Sequence, residues 1–319
     1  MPLPASFSFD GLTRVASVPV PFPLDICVLQ LPTVKYATAL HKNTAGQRHF
    51  AVYIWRPAEQ DFQLLVELET PRAVALDCLA FAGRGYVAVS YNLTEPVSQA
   101  REGSPIYEIS PETGIRTVQY FSGTHLRGMY LRISSQELTL LHAFESGAQC
   151  PYFKWMGKSF QKLGAIRCSN ARRMEAFGID YTDYVAVANY ADSEGRTATH
   201  SEIFRWDAKS QRFQLFQRLR SNGAVDVKYF SLPVNEVSRR HFLILGNTFG
   251  GTDAEVGEAD TVIYVFEKGQ FVPYQRLSFY ALERVLPVQV ISDQTFIFFY
   301  YMLNPLALNI GEVPTPGCL

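Results

Sequence analysis

Charge is what this chain has least of. Only 18% of its 319 residues are Asp, Glu, Lys or Arg, and 29 basic against 30 acidic side chains leave a formal net charge of −1. That balance gives no electrostatic footprint for nucleic acid and no pull toward an anionic membrane. The basic clusters, Arg172-Arg173 and Arg239-Arg240, are short and read as solvated or salt-bridged faces. Cysteine is also sparse. Cys27, Cys78, Cys150, Cys168 and Cys318 form no CxxC pair and have no histidine nearby at metal-ligand spacing, which excludes a zinc finger or ribbon. Cys27 and Cys78 read as buried thiols on strands. Cys150 and Cys168 bracket one hairpin, so a disulfide is open to them if the chain is extracellular. The apolar run TFIFFYYML at 295–303 is far too short to cross a bilayer and reads as a buried strand. The first residues, MPLPASFSFDGL, lack a basic n-region and an apolar h-region, so no signal peptide is expected.

Catalytic motifs are missing as well. There is no HExxH, no GxSxG and no sialidase-type Asp-box. Gly157-Lys158-Ser159 resembles the end of a phosphate loop, but the required glycine five positions earlier is Tyr152. The glycines between Gly246 and Gly251 lack GxGxxG spacing, and Trp206-Asp207 mimics a WD dipeptide without an upstream Gly-His. His41, His49, His125, His142, His200 and His241 are scattered without metal-ligand spacing and read as structural or surface residues.

What the chain does have is apolar bulk and a repeat. Apolar residues make up 47% and aromatic ones 13%, enough for a large core, and the 23 Phe and 17 Tyr lean toward sheet. The stretch SEIFRWDAKSQRFQLFQRL, from Ser201, returns four more times, beginning at Phe50, Ser104, Cys150 and Thr261. Each copy closes an apolar run on an anchor, Trp55, Ile109, Trp155, Trp206 or Phe266. A few polar, Gly or Pro residues follow, and a second run opens at Phe62, Ile115, Phe160, Phe213 or Phe271, which is the pattern of a β-hairpin. Two further strands precede each hairpin. The opening ones begin near Asp25, Asp77, Arg127, Arg173, Asp226 and Glu283, about 52 residues apart on average.

Four short strands per unit, repeated at that period without helical periodicity, predict an all-β propeller of four-stranded blades. Residues 1–303 form the propeller, and 304–319, matching no blade position, form a flexible tail. The last unit has only its first two strands, while residues 5–9 and 12–20 resemble a third and a fourth. The expected closure is therefore a six-bladed ring with a split blade; the alternative is an incomplete part of a seven-bladed propeller. The linkers at 93–103, 191–200 and 248–260 vary most and belong on one exposed rim, the expected binding surface. Buried on blade strands, Trp55, Trp155, Trp206 and Phe266 read as core rather than as a binding stripe.

If the opening strands are innermost, Asp25, Asp77, Asp226 and Glu283 surround the axis, where crowded carboxylates need a cation or an arginine. Such hard oxygen ligands suit Ca²⁺. The favoured alternative is an internal ring of salt bridges to Arg127 and Arg173. No other cofactor is implied. Asn92-Leu93-Thr94 is a glycosylation sequon that matters only on the secretory route.

The run ending in Tyr-x-Trp or Phe-x-Trp, the short turn, Phe then Gln, and a later Val-Ala-Asn resemble the epilepsy-associated (EAR, or EPTP) repeat. The match is fullest over DYVAVANY, IFRWDAKSQRFQLFQRL and GAVDVKYF between Asp183 and Phe230. Ile109 and Phe266 replace the usual Trp, and Arg127 and Arg173 replace the usual Asp. The resemblance implies a non-enzymatic extracellular propeller that binds cell-surface or other extracellular proteins, in adhesion or receptor recognition. With no leucine-rich or laminin G module ahead of the repeats, it points to a fragment or isoform of the large adhesion G-protein-coupled receptor type. Two other functions stay open: a hydrolase with its carboxylates at the channel mouth, and a truncated isoform that makes no working ring.

Overall fold

The computed structural model describes residues 20–96, 98–134, 137–145, 147, 149–234, 238–248, 261–277, 282–289, 295–301 and 310–312. They form six antiparallel sheets, each built from strands consecutive in sequence. The first holds β1 (Phe22–Gln30), β2 (Lys35–Lys42), β3 (Arg48–Arg56) and β4 (Asp61–Glu69). The second holds β5 (Ala73–Phe81), β6 (Arg84–Tyr91), β7 (Ser104–Ser110) and β8 (Gly114–Phe121). β9 (Leu126–Ser134), β10 (Glu137–Phe144), β11 (Gln149–Trp155) and β12 (Phe160–Arg167) make the third, and β13 (Ala171–Ile179), β14 (Thr182–Asn189), β15 (Ala198–Asp207) and β16 (Arg212–Asn222) the fourth. The fifth comprises β17 (Ala224–Pro233), β18 (Arg239–Asn247), β19 (Thr261–Glu267) and β20 (Gln270–Leu277). Apart from one short 3-10 turn at Ala100–Glu102, no helix occurs among the described residues.

Each opening strand lies against that of the next sheet: β1 on β5, β5 on β9, β9 on β13 and β13 on β17. A four-stranded sheet has two apolar faces and cannot bury either alone, so the blades stack face to face. The core consequently lies between blades. One cluster joins Leu29, Leu40 and Phe50 of the first blade to Val87 and Ile109 of the second. Another joins Phe177 and Tyr184 of the fourth to Leu243 and Phe271 of the fifth.

The repeated hairpins fold as their sequences dictate. In four of them the anchor packs on the aromatic that opens the next strand: Trp55 on Phe62, Trp155 on Phe160, Trp206 on Phe213 and Phe266 on Phe271, each with ring centroids 5.1 Å apart. Ile109 pairs with Ile115 in the same register. The anchors are only part-buried, apart from Ile109 at 0% exposure. The turns need a left-handed residue, supplied by Gln60, Gly114, Gly157, Gln211 and Gly269 at φ between 50° and 85°. Gly157 of the discarded phosphate-loop match is therefore a turn residue.

The turn between β13 and β14 is less well suited to its geometry. Asp180 and Tyr181 both have positive φ, 46° and 63°, and the Tyr181 side chain is fully exposed. A bulky residue in that region costs about 1–2 kcal/mol. Tyr181→Gly is expected to stabilise the protein by about 1 kcal/mol after the entropy cost of glycine, measured as a higher urea midpoint. An unchanged or lower midpoint would refute the account.

A sixth sheet follows, with β21 (Leu282–Gln289), β22 (Thr295–Tyr301) and β23 (Ile310–Glu312). β21 lies against β17, as a further blade should. The third strand comes from the 304–319 segment, which was expected to stand outside the blades, and it pairs Phe296, Ile297 and Phe298 with Glu312, Gly311 and Ile310. The free edge of β22 needs hydrogen-bond partners, and the chain directly downstream meets them. The split-blade partners at 5–9 and 12–19 lie outside the described residues. On β1, Ile26 and Val28 are 45% and 60% exposed, while Met129 and Leu131, at the same places on β9, are 1% and 0%. The preceding blade covers those β9 positions; no described blade covers the β1 face to the same degree.

Candidate functional site

The axis is organised by a β-bulge near the start of every opening strand. One extra residue is inserted there, namely Leu24, Val74, Arg127, Arg172, Val225 and Glu283 in turn. The first residue past the bulge is the structurally equivalent one: Asp25, Ala75, Gly128, Arg173, Asp226 and Arg284. Equal spacing in sequence had placed Asp25, Asp77, Asp226 and Glu283 on one level. In the fold only Asp25 and Asp226 share it. Asp77 lies two residues further along its strand, and Arg127 and Glu283 occupy the bulge itself. A bulge re-aims the residue it carries, and Arg127 accordingly turns to Glu145 instead of joining the axial ring.

The axial carboxylates clasp neighbouring blades. Asp25 Oδ2 accepts the Leu76 N–H at 3.0 Å, and Asp77 Oδ2 accepts the Leu131 N–H at 2.7 Å. Asp77 also takes Arg132 Nη1 at 2.8 Å, while Arg132 Nη2 reaches Glu175 at 2.5 Å and Lys228 Nζ reaches the same Glu175 at 3.3 Å. Arg173 Nε stands 3.5 Å from Asp226 and its guanidinium lies over the Tyr130 ring. Burial works to raise the Glu175 carboxyl, but Arg132 and Lys228 outweigh it and hold it below the usual carboxylate range. Burial also pushes Lys228 below the usual lysine range. The expected salt-bridge ring thus includes Arg173 but not Arg127, and it recruits Arg132, Glu175 and Lys228, which sequence spacing did not reveal.

This donor set fits a hard cation poorly. The described carboxylates already accept backbone N–H groups or face arginine, and among the described residues no three Asp, Glu, His or Cys side chains group so as to hold a metal ion.

Two disulfides reinforce the blades. Cys27 on β1 bonds to Cys78 on β5, joining the inner strands of the first two blades, and Cys150 bonds to Cys168 across the third blade's hairpin. The reading of Cys27 and Cys78 as buried thiols is therefore corrected. Cys78 occupies the place on β5 that faces the preceding blade, so stacking alone brings it to Cys27.

Other motif residues also serve the blades. Asn189, of Val-Ala-Asn, accepts the Ser169 N–H at 3.0 Å, and Asn247 accepts the Asn222 N–H at 3.1 Å. Gln119 and Gln217 each clasp the backbone of the next blade, at Phe160 and Phe271, through both amide atoms. Asn92 of the sequon is part-buried, with its Oδ1 buried and unpartnered.

His142 sits on β10 among the rings of Phe121, Phe144 and Phe153, 4.6–6.1 Å away, and its Nε2 has no hydrogen-bond partner. Burial pushes its pKa down to about 3. The folded protein keeps the ring neutral while the unfolded chain takes up a proton below about pH 6.5. Stability is thus lost as pH falls from 6.5 toward 3, by about 1.4 kcal/mol per unit from this group. His142→Phe is expected to lose less stability than the parent between pH 6.5 and 4.5 in urea titrations. Parallel pH profiles would exclude a buried neutral imidazole.

No family model matches the chain. The mouse thrombospondin-type laminin G domain and EAR repeat-containing protein is 30% identical over 121 residues, covering 37% of this chain and 17% of that protein. Its human counterpart is 31% identical over 106 residues, covering 33% of this chain and 15% of that protein. The chain therefore matches less than a fifth of the length of these relatives. Among solved structures, the periplasmic gluconolactonase of Pseudomonas aeruginosa superposes with a TM-score of 0.52 at 13% identity, over 92% of this chain and 84% of that one. The fucose-specific lectin of Aleuria aurantia gives 0.52 at 10% identity, over 93% and 99%. At such identities the likeness concerns the fold alone, and it defines the class: a β-propeller. Within that class, the sequence similarity relates part of the chain to EAR-repeat proteins.

Proposed function

We propose that this chain is an extracellular, non-catalytic propeller that binds proteins of the cell surface or extracellular space through its rim loops. The pair of disulfides carries the reading, because such bonds persist in oxidising compartments and are rare in the cytosol. The EAR-repeat similarity supports it. These relatives pair the repeat with a laminin G domain, which favours that type of parent over the adhesion-receptor type. Nucleic acid is not a partner on this reading, and no helix among the described residues is long and apolar enough to cross a membrane. The test is saturable binding of the purified protein to intact cells, abolished when their surface proteins are trimmed with trypsin. Binding that survives trypsin, or no binding, overturns the proposal.

The hydrolase alternative is disfavoured because Asp77 and Asp226 are held by arginine. Turnover of glycosidase or esterase substrates, lost in Asp77→Ala and Asp226→Ala, would restore it. The axial charges need no Ca²⁺ on our reading, so titration calorimetry with Ca²⁺ should give no heat, and EDTA should leave the melting temperature unchanged. A truncated, open array would be cut throughout by protease; a working ring would be cut only at rim loops and tail.

A further inference from the structure

The two-residue turn between β13 and β14 holds a tyrosine whose side chain stands wholly in solvent. Tyr181 is 109% exposed, and among the described residues no hydrogen bond or ring contact holds its phenol. Every other tyrosine whose burial is described is at least part-buried, except Tyr274, whose ring lies under the Arg240 guanidinium at 5.2 Å. The sequence around Tyr181 is acidic. Asp180 precedes it, Asp183 follows two residues later, and no lysine or arginine occurs from 174 to 195. Tyr274, by contrast, has no acid between 268 and 280 and has Arg276 beside it.

The backbone resists this placement. Both turn residues have positive φ, where Asn-Gly is the usual pair, so a tyrosine is held there against its own preference. Strain of this kind points to a use for the side chain, and full exposure shows that the use is not packing. Tyr184 is an internal control. It too directly follows an aspartate, Asp183, yet it is only 5% exposed and its ring stacks on Phe177 at 5.5 Å. Local sequence treats the two tyrosines alike; the fold presents only Tyr181. A free phenol set between carboxylates suits sulfuryl transfer, because a transferase holds its polyanionic phosphosulfate donor with basic residues, and that field draws in an acidic acceptor. Phosphorylation by a cytosolic kinase fits less well, since the two disulfides mark an oxidising compartment.

We propose that Tyr181 is a tyrosine sulfation site. The phenolic oxygen attacks the sulfur of a phosphosulfate donor, and the new O–S bond replaces the S–O bond to the donor's phosphate. The nucleotide leaves with that electron pair, and the phenolic proton passes to a base of the transferase. The ester adds a fixed negative charge whose oxygens an arginine of a binding partner can clasp, at the end of β14 opposite its rim loop. The inference rests on the extracellular reading, because tyrosine sulfation belongs to the secretory lumen. The test is incubation of the purified whole chain, disulfides intact, with tyrosylprotein sulfotransferase and a radiolabelled phosphosulfate donor, followed by fragmentation of the labelled peptide. The parent is expected to take one label per chain, on Tyr181. Tyr181→Phe, which keeps the ring and the turn, should lose that label with parental circular dichroism. Three results overturn the proposal: no label on the folded parent, label undiminished in Tyr181→Phe, or label shared with Tyr184. Trypsin-sensitive cell binding by a chain that takes no label would sink this site and leave the protein-binding reading standing; a labelled chain that binds no cell would do the reverse.

Discussion

Replacing Cys27 and Cys78 together by alanine is expected to lower the unfolding free energy by about 4 kcal/mol. The bond closes a chain separation of 51 residues, and a longer closed loop removes more entropy from the unfolded ensemble. Cys150 and Cys168 are separated by 18, for which the same reasoning gives about 3 kcal/mol. Against a total stability of about 5–15 kcal/mol, the first loss is large. It is also aimed at one place, since the bond holds β1 to β5 where the outer face of β1 is least covered. The check is urea denaturation of the oxidised parent, the double variant and the parent under dithiothreitol. The last two should agree within error for the Cys27–Cys78 contribution once Cys150→Ala/Cys168→Ala is made in both. A double variant as stable as the oxidised parent would show that the bond does not constrain the protein.

Arg132→Ala should be comparably damaging, at about 3 kcal/mol, because it removes the guanidinium shared by two buried carboxylates and leaves them only Lys228 and a backbone N–H. The cost has a pH signature that a cavity would not give. In the parent, Glu175 has a depressed pKa, so its contribution is present above the unfolded carboxylate value and fades as pH falls through the folded one. Without Arg132, Lys228 is the near partner left to oppose burial, so the Glu175 pKa rises from its depressed value and much of that contribution is lost. The penalty then exists at neutral pH and is relieved by protonation. The stability gap between Arg132→Ala and the parent should therefore narrow from pH 7 to pH 4. A gap that is constant with pH would assign the loss to packing.

The hairpins were legible because their determinants are local. Anchor, turn residue and facing aromatic lie within eight residues of one another, and the 5.1 Å contacts follow from the register of the turn. The period of about 52 residues then required stacked blades, since no four-stranded sheet buries itself. Asn189 was visible as a letter of the motif, though its work of capping a connection was not, and Gln217, which clasps the next blade, was not singled out by the motif.

What the chain alone could not decide was everything measured between blades. The bulge on each opening strand adds one residue without any fixed letter, carrying Leu24 in one blade and Arg127 in another, and so counting along the sequence set Asp77, Arg127 and Glu283 at the wrong level. The Cys27–Cys78 bond and the Arg132–Glu175 pair each join residues brought together only when one sheet packs on its neighbour. Local pattern determines strand and turn because those interactions span a few residues. Contacts across about fifty residues depend on register and stacking, which exist only once the blades have packed on one another.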